Sequence, residues 1–120
     1  MRDHTKLRAF ELADEVVLLI YRATRHFPKE EVYGLASQMR RAAVSVPSNI
    51  VEGSARESQA EYVRFLEIAF ASLRELGYQF DLAKRLGYLD KTTISIGEAK
   101  FNEAEKVLGA LVRFLRNEIA

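Results

Sequence analysis

Leu35-Ala36-Ser37-Gln38-Met39-Arg40-Arg41-Ala42-Ala43-Val44-Ser45-Val46-Pro47-Ser48-Asn49-Ile50-Val51-Glu52-Gly53 is the stretch on which the fold turns. Leu35, Met39, Ala42, Val46 and Ile50 step by four, three, four and four residues, which keeps them on one face of a 3.6-residue helix. The pattern runs through Pro47, which has no backbone N–H to donate to the carbonyl of Ala43. A proline inside a helix costs about 3 kcal/mol. Two readings follow. One is a single helix kinked at Pro47; the other is two short helices, with Ser45 capping the second and Pro47 in its first turn. The unbroken apolar register favours the single kinked helix.

The rest of the chain reads as helix too. A first helix is expected from about Lys6 to Thr24, with Phe10, Ala13, Val17 and Ile20 on one seam and Leu12, Val16, Leu19 and Ala23 beside it. Arg25-His26-Phe27-Pro28 ends it, and Pro28-Lys29-Glu30-Glu31 has the look of a short helical start. Gly53 to Glu57 reads as a turn, and Ser58-Gln59-Ala60-Glu61 as a capping box that opens a helix from about Gln59 to Leu86. Gly87 suits a left-handed cap, and Asp90 caps a last helix from about Lys91 to Asn117. The predicted fold is all-α: one domain over residues 1–120, an antiparallel up-down four-helix bundle with a proline-kinked second helix. The third helix carries Leu66, Ile68, Phe70 and Tyr78 outside its main seam. That width predicts burial on more than one side, read as a contact between subunits.

Bulk composition narrows the function classes. At 120 residues with 48% hydrophobic and 29% charged side chains, the chain suits a folded, water-soluble domain. It has no cysteine, so disulfides, thiolate catalysis and cysteine-bound zinc are excluded, and a cytoplasmic location is the expectation. The stretch Met1-Arg2-Asp3-His4-Thr5-Lys6 leads into charged amphipathic sequence, so no signal peptide is expected. The longest apolar run, Val16 to Ile20, is far short of the roughly 20 residues of a membrane span. With 18 basic and 17 acidic residues, the net charge is +1, so nucleic-acid binding requires the charges to be segregated in space.

No catalytic motif stands out. The chain has two histidines, His4 and His26, and no Glu-x-x-His pair, phosphate-binding glycine loop or nucleophile elbow. No cofactor, metal site or enzyme activity is expected. The acid pairs Glu30-Glu31 and Glu103/Glu105 read as solvated surface, and the tyrosines and phenylalanines as core. Asn49, Glu52 and Arg56 are spaced to meet on one helix face. In one reading they are structural, with Glu52 pairing Arg56 and Asn49 serving the backbone freed by Pro47; in the other they form a ligand or intersubunit site. Arg40, Arg41 and Arg56 are the candidate RNA contacts.

The Leu35-to-Gly53 stretch closely resembles the signature of the 23S rRNA intervening-sequence proteins, small bacterial four-helix bundles. A second block agrees, running from Glu61-Tyr62-Val63-Arg64-Phe65-Leu66 through Ser72-Leu73-Arg74-Glu75-Leu76 to Leu86-Gly87-Tyr88-Leu89. The resemblance carries over Ser45, Pro47, Asn49, Glu52 and Gly53 as signature residues. It implies a homopentamer without enzyme activity. By analogy with the accessory protein of diversity-generating retroelements, it also implies RNA and a protein such as a reverse transcriptase as partners. The first functional expectation is therefore an RNA or ribonucleoprotein accessory factor. The alternative is a protein-interaction scaffold with no nucleic-acid contact.

Overall fold

The computed structural model describes residues 2–119. Four helices account for most of them: α1 (Arg8–Thr24), α2 (Leu35–Ser54), α3 (Gln59–Arg85) and α4 (Lys91–Ile119). Short 3-10 turns at His4–Lys6 and Lys29–Glu31 precede α1 and α2, and no strand occurs among the described residues. The helices pack as a ring, each against its chain neighbours, with α4 closing back on α1. Cross-helix pairs set the directions. Ser45 meets Ser72 while Gly53 lies against Phe65, so α2 and α3 are antiparallel. Glu15 meets Lys100 while Arg8 meets Glu103, so α1 and α4 are antiparallel as well.

Local signals end the helices where expected. The Ser58 hydroxyl accepts the Glu61 N–H at 3.1 Å, and the Asp90 carboxylate accepts the Thr93 N–H at 2.7 Å. That backbone bond is the main reason the Asp90 carboxyl titrates below its ordinary range. Gly87, at φ 77°, takes the left-handed position after α3. One boundary differs: Gly53 and Ser54 are not in a turn but form the last residues of α2.

α2 runs unbroken through Pro47, which removes the two-helix reading. Ser45 is therefore not an N-cap but sits in mid-helix, bonded to α3. Leu35, Met39, Ala42, Val46 and Ile50 are all buried, as their spacing requires. They join a single core with Leu12, Val16 and Ile20 of α1, Leu66, Leu73 and Leu76 of α3, and Phe101 and Leu108 of α4. Fully burying each such side chain contributes about 1.5–3 kcal/mol, which outweighs the cost of one internal proline.

The width of α3 is mostly absorbed inside the bundle. Leu66 is fully buried, and Phe70 packs partly buried against the core, its ring over Gly109 of α4. Because α3 lies between α2 and α4, it has two flanks to bury within one chain. Only Ile68 and Tyr78 of the extra set are left exposed, at 39% and 62%.

α2 and α3 approach each other closely at Gly53. A Cβ there would lie 2.8 Å from Phe65 Cβ and 3.3 Å from the Tyr62 carbonyl oxygen, neither of which moves by a side-chain rotation. Gly53→Ala is expected to destabilise the protein. Overpacking costs about 1–3 kcal/mol, against about 1 kcal/mol regained in helix propensity. The check is a lower urea midpoint with an unchanged m-value.

Candidate nucleic-acid interface

The signature residues first knit α2 to α3. The Asn49 side-chain amide donates to the Ser45 carbonyl at 2.8 Å and to the Ser45 hydroxyl at 3.0 Å. The Ser45 hydroxyl in turn shares a 2.8 Å bond with the Ser72 hydroxyl of α3. Asn49 thus does not serve the Ala43 carbonyl that Pro47 leaves without its helical donor. Ala43 is six residues back, about 9 Å along the helix axis and beyond the amide's reach, whereas Ser45 is one turn away. Glu52 pairs with Arg56 at 3.1 Å, as the structural reading expects.

Three arginines proposed as a set are divided by the fold. Arg56 lies sixteen residues beyond Arg40, about 24 Å along the helix direction, with its guanidinium over the Phe65 ring at 4.7 Å. Arg40 and Arg41 instead line a groove between the end of α1 and the first half of α2, enclosing about 810 Å³. Arg40 forms part of its wall. Its Nε donates to the Thr24 hydroxyl at 2.8 Å, and its Nη2 donates to the Tyr21 carbonyl at 3.3 Å. Tyr21 carries one of the last carbonyls of α1, which lack helical partners, so a cation is favoured there. The same guanidinium lies 4.6 Å over the Tyr21 ring.

Packing adds two cations to this pair: Arg25, which the sequence offered only as a helix-end arginine of weak RNA signal, and Lys29, which it did not offer for this role. Arg25, just past α1, and Lys29, in the 3-10 turn, line the same groove as Arg40 and Arg41, and no lining residue is acidic. None of the four has a carboxylate partner among the described residues. Elsewhere Arg8, Arg56, Arg74, Lys84, Lys100 and Arg116 each face one. The +1 chain therefore gathers four positive charges without an ion pair in one groove, while across α2 the Glu75 carboxylate lines the adjoining cleft with Arg41. Aromatic rings border the groove. Tyr33 is 97% exposed and Tyr21 38%, so the expectation that the tyrosines are core fails at these positions. Tyr33 falls in the short turn between the 3-10 segment and α2, where no helical seam draws its ring inward.

Glu31, expected at the solvated surface, is half-buried and holds that turn. Its carboxylate accepts the Leu35 N–H at 3.1 Å and the Tyr88 hydroxyl at 2.9 Å. The bond to Glu31 pushes the Tyr88 hydroxyl above its usual pKa. Among the described residues no group of three His, Cys, Asp or Glu side chains is placed to hold a metal ion. Among the described residues no helix is long and apolar enough to cross a membrane.

The family model described as 23S rRNA-intervening sequence protein matches residues 5–110. The chain belongs to that family. Its fold is shared by a crystal structure of a protein of unknown function from the S23 ribosomal protein family of Bacteroides thetaiotaomicron VPI-5482. The TM-score is 0.79 at 20% identity, over 87% of this chain and 97% of that one. No curated protein matches the chain. Neither the family description nor that of the structural neighbour is that of an enzyme.

Stability measurements separate the two neighbouring arginines of this family member. Arg40→Ala removes two charge-assisted hydrogen bonds to the end of α1 and is expected to cost about 1–2 kcal/mol. Arg41→Ala, exposed and without an ion pair among the described residues, is expected to stay within about 0.5 kcal/mol. Urea unfolding of both variants checks the contrast.

Proposed function

We propose that this protein is a non-enzymatic, homo-oligomeric accessory factor that binds RNA through the α1–α2 groove in the cytoplasm. The observation that carries this reading is the segregation of Arg25, Lys29, Arg40 and Arg41 into one groove with no acidic lining residue. Nucleic-acid affinity depends on such local clustering rather than on net charge, because each cation at a phosphate releases condensed counterions.

The test is binding of a single-stranded RNA oligomer across a series of salt concentrations. Each phosphate contact contributes about −0.7 to the slope of log affinity against log salt, so three or four cations predict a slope of about −2 to −3. Arg41→Glu combined with Lys29→Glu is expected to abolish most of the affinity and flatten the slope. Unchanged affinity in that variant overturns the groove as the binding site.

The oligomer is proposed to be a homopentamer, as the family resemblance implies. The exposed apolar side chains of α3, Ile68 and Tyr78, are the surface offered to a neighbouring copy. Light scattering of the wild type is expected to give five chains. Ile68→Glu with Tyr78→Glu is expected to give monomers that remain helical, since both sites are outside the core. A monomeric wild type overturns the assembly.

A scaffold that binds protein rather than RNA is the second reading. It is favoured by the groove between α1 and α4, where Leu18 and Ile96 are about half exposed. RNA binding that is absent even at low salt decides for it.

A further inference from the structure

We propose that the α1–α2 groove takes unpaired rather than double-helical RNA, and that Tyr33 is the platform on which a base stacks. This rests on the RNA reading above and narrows it to a class of RNA. A surface that holds only phosphates needs cations alone. This groove combines Arg25, Lys29 and Arg41 with an aromatic ring that is 97% exposed. In a duplex the base faces are already stacked on one another, and a protein reaches backbone, 2′-hydroxyls and groove edges. Only a single strand, loop or bulge has base faces free to meet Tyr33. A positive groove that tracks the backbone, with aromatic side chains beneath the bases, is the usual arrangement for single-stranded binding.

The turn carrying Tyr33 is held before any ligand arrives. The Gly34 N–H donates to the Glu31 carbonyl at 3.0 Å, and the Val32 N–H donates to the Lys29 carbonyl at 3.2 Å. The Glu31 carboxylate ties the start of α2 to Tyr88. A Cβ at Gly34 would lie 2.7 Å from Glu31 Oε1, so the bond network and a side chain at this position compete for the same space. Tyr33 is thereby presented on a pinned backbone, so that only its side-chain rotamers remain to be fixed when a base stacks on it. Tyr21 is a different case: Arg40 already covers one face of its ring, leaving at most the other face for a ligand.

The experiment uses a labelled twelve-nucleotide oligoadenylate and a twelve-base-pair RNA duplex, with anisotropy read at about 50 mM salt. Oligoadenylate is expected to bind tightly. Tyr33→Ala is expected to weaken it by roughly tenfold, and Tyr33→Phe, which keeps the ring, to stay within about twofold of wild type. Duplex affinity is expected to be the same in all three proteins. Because Tyr33 is almost fully exposed, circular dichroism is expected to be unchanged in both variants.

If oligoadenylate binds but Tyr33→Ala leaves it unaffected, or if the duplex loses as much as the single strand, the stacking inference is wrong and the RNA reading stands. Equal binding and an equal Tyr33→Ala loss with polyglutamate, which has charge but no bases, also overturns it. If neither RNA binds, the RNA reading itself fails and takes this inference with it.

Discussion

The close packing of α2 on α3 is the constraint from which the rest of the bundle follows. Gly53 lets the two backbones approach to a distance that a methyl group would block. One to two turns earlier, Asn49, Ser45 and Ser72 link the helices through a short chain of hydrogen bonds. Small and polar side chains at this seam leave the large apolar ones to face the shared core. The most recognisable part of the chain is therefore a helix–helix contact rather than a reactive site. Pro47 is tolerated within it because the burial of Met39, Ala42, Val46 and Ile50 outweighs one lost backbone bond.

That seam has a functional consequence on the opposite flank of α2. With one side of the helix committed to α3, the other meets the end of α1. Arg40 secures the junction by binding the Thr24 hydroxyl and the Tyr21 carbonyl. Its charge is not cancelled by these neutral acceptors. Arg40 is thus both a structural tie and part of the positive field of the groove, whereas Arg41 has no structural partner to lose. Arg56 shows the contrary arrangement: Glu52 one turn away neutralises it, and the Phe65 ring takes its flat face.

Electrostatics in this protein are a matter of placement. Several acidic side chains of α1, α3 and α4 form pairs across and along those helices, such as Glu15 with Lys100 and Glu67 with Arg116. Exposed pairs of this kind contribute little to stability. Their carboxylates engage other cations, so that the four of the α1–α2 groove stand without an ion pair among the described residues in a chain whose total charge is +1. The groove's field extends about one Debye length, roughly 8–10 Å at moderate salt, far enough to steer an approaching polyanion.

The helices and their ends were legible from residues alone because the signals are local. Apolar periodicity marked α2 through Pro47, Ser58 and Asp90 opened α3 and α4, and Gly87 followed the end of α3, through bonds or angles reached within a few residues. The resemblance carried by the Leu35-to-Gly53 stretch pointed to the right family for the same reason, as an uninterrupted run of sequence. The groove was not legible in this way. Arg25, Lys29 and Arg41 lie on three successive segments, and only the packing of α1 against α2 puts them on one surface. The width of α3 was likewise ambiguous, since a run of residues does not say whether a second apolar side meets another helix of the same chain or a second copy. Periodicity within a helix determined the elements; which charges stayed unpaired, and that Tyr33 stayed outside the core, depended on distances between elements that only the tertiary structure decided.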